Sequence, residues 1–91
     1  MKMFKDSDKV AEKFSLDNRL NQLAEECAEL ICVANHYRRG RVPKQNVTEE
    51  MADVLVMIDQ VMMKMQISIS DIDKVAVHKI RRALDRKEWE K

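Results

Sequence analysis

Apolar residues recur at helical spacing in two long stretches of the chain. Leu20, Leu23, Ala24, Cys27, Leu30, Ile31 and Ala34 follow one another at intervals of 3, 1, 3, 3, 1 and 3, which on a helix makes one continuous stripe. The pattern predicts a helix from about Leu16 to Arg38. Val47, Met51, Val54, Leu55, Ile58, Val61, Met62 and Met65 repeat the stripe in a second helix. Asn46 is its expected N-cap, with Glu49 three residues on completing a capping box. Between the two, RRGRVPKQN (38–46) holds the only glycine and the only proline of the chain and breaks the pattern. QISIS (66–70) alternates as a strand would, but it lies between helices and fits a connection better. Ser70 and Asp73 then give a second capping signal, opening a third helix from about Asp71 to Lys87. Upstream, Ser7 is a candidate cap for a leading segment carrying Val10 and Phe14. The spacing leaves open whether that segment runs on into the first long helix. The expected fold is all-α, a bundle of three to four helices.

Composition adds a constraint on the core. Ninety-one residues make one domain, 1–91, near the lower end of what a single core stabilises alone. The aromatics are few (Phe4, Phe14, Tyr37, Trp89), so aliphatic and Met side chains must fill the interior. Such a core is expected to be completed by oligomerisation, as a homodimer or homotetramer. Met63 and Val33, outside the central stripes, are candidates for subunit contacts. Met63 has the third helix as its other candidate partner. A formal net charge of +1 gives no general argument for nucleic acid or an anionic membrane, so neither is expected as a partner. Cys27 and Cys32 point about 140° apart on a helix and should not bridge each other. A reduced, cytoplasmic setting follows as the default. The chain has no signal-peptide pattern and no apolar run of the length a membrane span needs, so it is expected to be soluble and unprocessed.

The acids change the picture most. EECAEL (25–30) and EEMADVL (49–55) both set carboxylates against an apolar seam. At about 100° per residue from Cys27, Glu26 falls at about −100° and Glu29 at about −160°, with Gln22 between them. From Ile58, Glu50 falls at about −80° and Asp53 at about −140°. Both pairs flank their stripe on the same rotational side. Antiparallel packing of the two helices would therefore direct four carboxylates into one cleft, although their heights differ by roughly 12 Å if the second helix starts at Asn46. Converging carboxylates repel one another unless a cation lies among them. Oxygen ligands without His or Cys suit a hard ion, Mg²⁺ or Mn²⁺, which commonly binds phosphates as well. The bland alternative is a solvated acidic flank. Glu25 and Glu49 point further out and are expected to be ordinary surface or outer-shell acids.

Glu26-x-x-Glu29, twenty residues, then Glu50-x-x-Asp53 resembles the ExxE…ExxD signature of the MazG-like all-α nucleoside triphosphate pyrophosphohydrolases. EECAELICVANHYRRGR and VTEEMADVLVMIDQV look like the motif helices of that family, and the resemblance spans roughly residues 14–88. It implies that Glu26, Glu29, Glu50 and Asp53 hold magnesium, and that the enzyme releases pyrophosphate from a nucleoside triphosphate, leaving the monophosphate. Glu26 or Glu29 is then the candidate general base. Family members often carry a glutamine slightly earlier than Gln22, where this chain has Arg19; recognition of the base is left open by that difference. Two alternatives stand beside this reading: a phosphoribosyl-ATP pyrophosphohydrolase-like enzyme, and a non-catalytic helical adaptor or oligomerisation module.

The third helix ends HKIRRALDRKE, where Lys79, Arg82 and Arg86 share a face whose earlier part, Ile72, Val75 and Ala76, is apolar. Cations here would offset phosphate charge, and Lys79 and Arg82 look like the phosphate-binding positions of the family. The alternative is a basic C-terminal turn complementing the helix dipole. Gln22 is a candidate substrate contact and Met57 a candidate wall for a base. His36 points away from the seam, and His78 has no acid or thiol partner at metal spacing.

Overall fold

The computed structural model describes residues 3–86, which fold into four helices. These are α1 (Ser7–Ala11), α2 (Leu16–Arg38), α3 (Lys44–Met65) and α4 (Ile69–Arg86). Trp89 and the end of the predicted third helix at Lys87 lie outside the described residues. No described helix is long and apolar enough to cross a membrane.

The leading segment is a separate helix. Ser15 stops it from running on into α2, because its backbone is extended (φ −73°, ψ 162°) and its hydroxyl accepts from the Asn18 N–H at 3.0 Å. Ser7 is not the cap expected of it. It is the first residue of α1, and its hydroxyl is buried with no hydrogen-bond partner among the described residues. What fixes this end is Asp59 on α3, only 1% exposed, whose carboxylate accepts from the N–H groups of Met3 (2.8 Å) and Phe4 (3.2 Å). Met63 also finds its neighbours here, since it lines a hollow with Asp8, Ala11 and Glu12 of the N-terminal segment. That hollow faces α1, and no residue of the third long helix lines it.

Helix α2 has the predicted bounds. Its end is a Schellman turn: Arg41 N–H donates to His36 C=O at 2.9 Å and Gly40 N–H to Tyr37 C=O at 3.0 Å. Gly40 takes φ 69° there, a conformation that disfavours any side chain with a Cβ. Helix α3 then starts three residues earlier than predicted. Pro43, with ψ 163°, occupies the N-cap, and Asn46 sits inside the first turn, donating its N–H to Pro43 C=O at 3.0 Å. The Asn46/Glu49 capping box therefore does not form. A box does open α4, two residues earlier than expected. Ser68 N–H donates to Asp71 Oδ2 (2.9 Å) and Asp71 N–H to Ser68 Oγ (3.0 Å), in place of Ser70 and Asp73.

Residues 39–43 span at most about 18 Å when extended, whereas α3 is about 33 Å long. Helix α3 must therefore run back along α2, and these two form the main packed pair, with α1 against α3 as the second. The core between them is small and sulfur-rich: Ala11, Val54, Met57, Val61 and Met62. Several stripe residues, Leu20, Ile31, Met51, Leu55 and Met65 among them, stay exposed. Helix α4 buries none of its residues and packs along no other described helix.

Candidate metal centre

The hairpin brings the four motif acids together. Glu26 and Glu29 lie one turn apart on α2, Glu50 and Asp53 one turn apart on α3, and each offers a carboxylate oxygen within 4.8 Å of the others. The early start of α3 makes this possible. Glu26 lies twelve residues before Arg38 and Glu50 only six after Lys44. The remaining offset of about 9 Å is smaller than an Asn46 start would leave, and the Schellman turn takes it up. Glu25 and Glu49 point out to solvent, as expected.

The electrostatics are those of a site prepared for a cation. Glu26 and Glu50 are half-buried, and the Oε2 atom of each is buried with no hydrogen-bond partner among the described residues. Burial pushes the carboxyl of Glu26 above the ordinary range, and the charges of Glu29 and Asp53 push it further. Glu50 is raised in the same way, first by burial and then by Glu29 and Asp53. A carboxyl with a raised folded-state pKa stabilises the fold below its unfolded value and loses that contribution as pH rises through the folded value. At neutral pH the cluster therefore opposes folding on its own, and a cation among the acids would remove that cost. Opposite ligands of an octahedral ion with metal–oxygen bonds of about 2.1 Å stand about 4.2 Å apart, close to the span of this set. The donor atoms, the two orphaned oxygens and the mutual repulsion all fit a hard divalent ion.

Next to the acids lies an open recess of about 350 Å³ that Glu26 and Asp53 themselves help to line. Gln22 is in its wall, as the helical wheel suggested, and Met57 supplies an apolar side together with Phe14 and Val56. Arg19 is the residue whose place the sequence did not disclose. It is 7% exposed, with Phe14 stacked 3.9 Å from its guanidinium carbon. One sign of it existed: counted from Cys27, Arg19 falls at about −80°, beside Glu26 on the same flank.

The basic residues stand apart. Lys79, Arg82 and Arg86 line their own recess of about 240 Å³ on α4 with Ala83. Within one chain the structure does not bring that recess to the acids. Cys27 is half-buried, Cys32 is exposed, and both are free thiols.

Comparison with curated proteins and with solved structures gives no match. The four acids, both helices that carry them and the basic helix all fall within residues 14–86, which match the MazG nucleotide pyrophosphohydrolase domain, and the chain belongs to that family.

Proposed function

We propose that the chain is a Mg²⁺-dependent nucleotide pyrophosphohydrolase that cleaves a nucleoside triphosphate between its α and β phosphorus atoms, with water entering and pyrophosphate leaving. The observation that carries this reading is the set of four carboxylates within 4.8 Å of one another, two of them with orphaned buried oxygens. Glu26, Glu29, Glu50 and Asp53 would hold Mg²⁺ or Mn²⁺. The bound ion would supply Lewis-acid polarisation of the phosphoanhydride and a lowered pKa for water. Glu26 or Glu29 would take the proton from the attacking water. Gln22, in the recess wall beside Glu26, is placed to contact the nucleotide.

Lys79, Arg82 and Arg86 would offset the remaining phosphate charge. As α4 is separate from the acids of its own chain, these cations reach a site most directly through a second copy, in a homodimer or homotetramer. The exposed apolar face of α4 supports such an assembly: Ile72, Val75, Ile80 and Leu84 are all uncovered. Pyrophosphate release from a panel of nucleoside triphosphates, with Mg²⁺ and with chelator, tests the function. Release that stops on chelation supports it. No release from any triphosphate overturns it, and release from phosphoribosyl-ATP alone selects the related enzyme instead.

A further inference from the structure

The recess beside the acids contains a buried cation whose partners among the described residues are all neutral. The guanidinium of Arg19 is held by neutral acceptors: Nε and Nη2 donate to Asn18 Oδ1 at 3.1 and 2.6 Å, and Nη1 donates to Gln60 Oε1 at 2.8 Å, with Met57 Sδ at 3.8 Å. No carboxylate among the described residues pairs with it. A buried charge usually has an ionic partner, and a guanidinium carries five N–H groups. The contacts described engage four of them at most, which leaves one N–H on Nη2. Phe14 covers one face of the group, so a ligand meets its edge.

Position along α2 indicates what that ligand is. Arg19 precedes Glu26 by seven residues, about 10 Å along the helix. A nucleotide whose phosphates are bound at the acids would therefore carry its base away from them, between Phe14, Val56 and Met57, with its far edge toward Arg19. These walls are apolar and unsuited to phosphate. Resting on the proposed pyrophosphohydrolase function, we infer that the recess receives the base and that Arg19 selects bases with a carbonyl oxygen at that edge, uracil, thymine, guanine or hypoxanthine, over cytosine and adenine. The reason is chemical. Guanidinium only donates, so a carbonyl oxygen completes its hydrogen bonding, whereas an exocyclic amino group sets donor against donor in a desolvated site.

Two matched pairs, ITP with ATP and UTP with CTP, differ in this feature and test it. The wild type should favour ITP and UTP by about tenfold or more in kcat/KM. Arg19→Gln, whose amide both donates and accepts, should bring both ratios toward one, and Arg19→Lys should keep the preference. Thermal unfolding of both variants is measured alongside. Ratios near one in the wild type overturn the inference. So does an Arg19→Gln enzyme that slows all four substrates equally, which would indicate a phosphate contact or a packing role. If Arg19→Gln does not fold, the wild-type ratios and the lysine variant decide. If no triphosphate is hydrolysed, the proposed function fails, and the base inference is then judged by binding of IMP against AMP with Mg²⁺, where equal affinity overturns it.

Discussion

Helices α3 and α4 are both amphipathic and of similar length, 22 and 18 residues, yet only α3 is covered within the chain. Val54, Met57, Val61 and Met62 of α3 are buried, whereas Ile80 of α4 remains 61% exposed and none of its neighbours is buried. An apolar face states that cover is needed, and does not state that the same chain supplies it. The two helices also differ in charge. Helix α3 turns acids toward acids of α2, at a cost that a cation can offset, while α4 gathers Lys79, Arg82 and Arg86 around a recess of their own. The division sets a hairpin of converging carboxylates against a helix of clustered cations, and the proposed function needs both at one site.

The largest effect is expected from the hairpin. Asp53→Asn or Glu50→Gln should lower pyrophosphate release roughly a hundredfold or more, the scale on which loss of one preorganised electrostatic group acts. Near-normal release from both variants would move the chemistry away from α3.

A smaller effect is expected from α4. Lys79→Met and Arg82→Met should each lower kcat/KM about ten- to hundredfold, as loss of a charge-assisted contact does, while thermal stability changes little. If activity survives and stability falls slightly, the cations only complement the helix dipole.

The smallest effect on a single chain, and the clearest on assembly, should come from the apolar face of α4. Val75→Glu with Ile80→Glu should leave the hairpin folded, because neither residue is buried, and should convert an oligomer to a monomer by light scattering. A wild type that is already monomeric at micromolar concentration would contradict the assembly and require another route for Lys79 and Arg82.

Much of this organisation was legible in the sequence, for physical reasons. The bounds of α2 and the flank shared by the acids follow from an uninterrupted helical stripe. The starts of α3 and α4 were misplaced because capping boxes are short and recur by chance. Asn46-x-x-Glu49 lies within a helix that Pro43 had already begun, and Ser70-x-x-Asp73 lies two residues past the box that Ser68 and Asp71 form. Arg19 was obscured because charge on a helix flank is usually solvated. Its burial depends on Phe14, Asn18 and Gln60, and two of these three lie outside the helix turn that carries it. The fate of α4 was not legible, since its pattern reads the same whether it is covered by its own chain or by another.

Glu26, Glu29, Glu50 and Asp53 are proposed to form one divalent-cation site. Mn²⁺ titration followed by electron paramagnetic resonance tests it most directly, with Mg²⁺ as competitor, on the wild type and on Glu50→Gln. Because protons compete for carboxyls whose pKa values are raised, the titration is run at pH 7.5 and at pH 5. Mn²⁺ should bind at pH 7.5 and be displaced by Mg²⁺, bind more weakly at pH 5, and bind at least about tenfold more weakly to Glu50→Gln. Equal Mn²⁺ affinity in wild type and variant at pH 7.5 would contradict it.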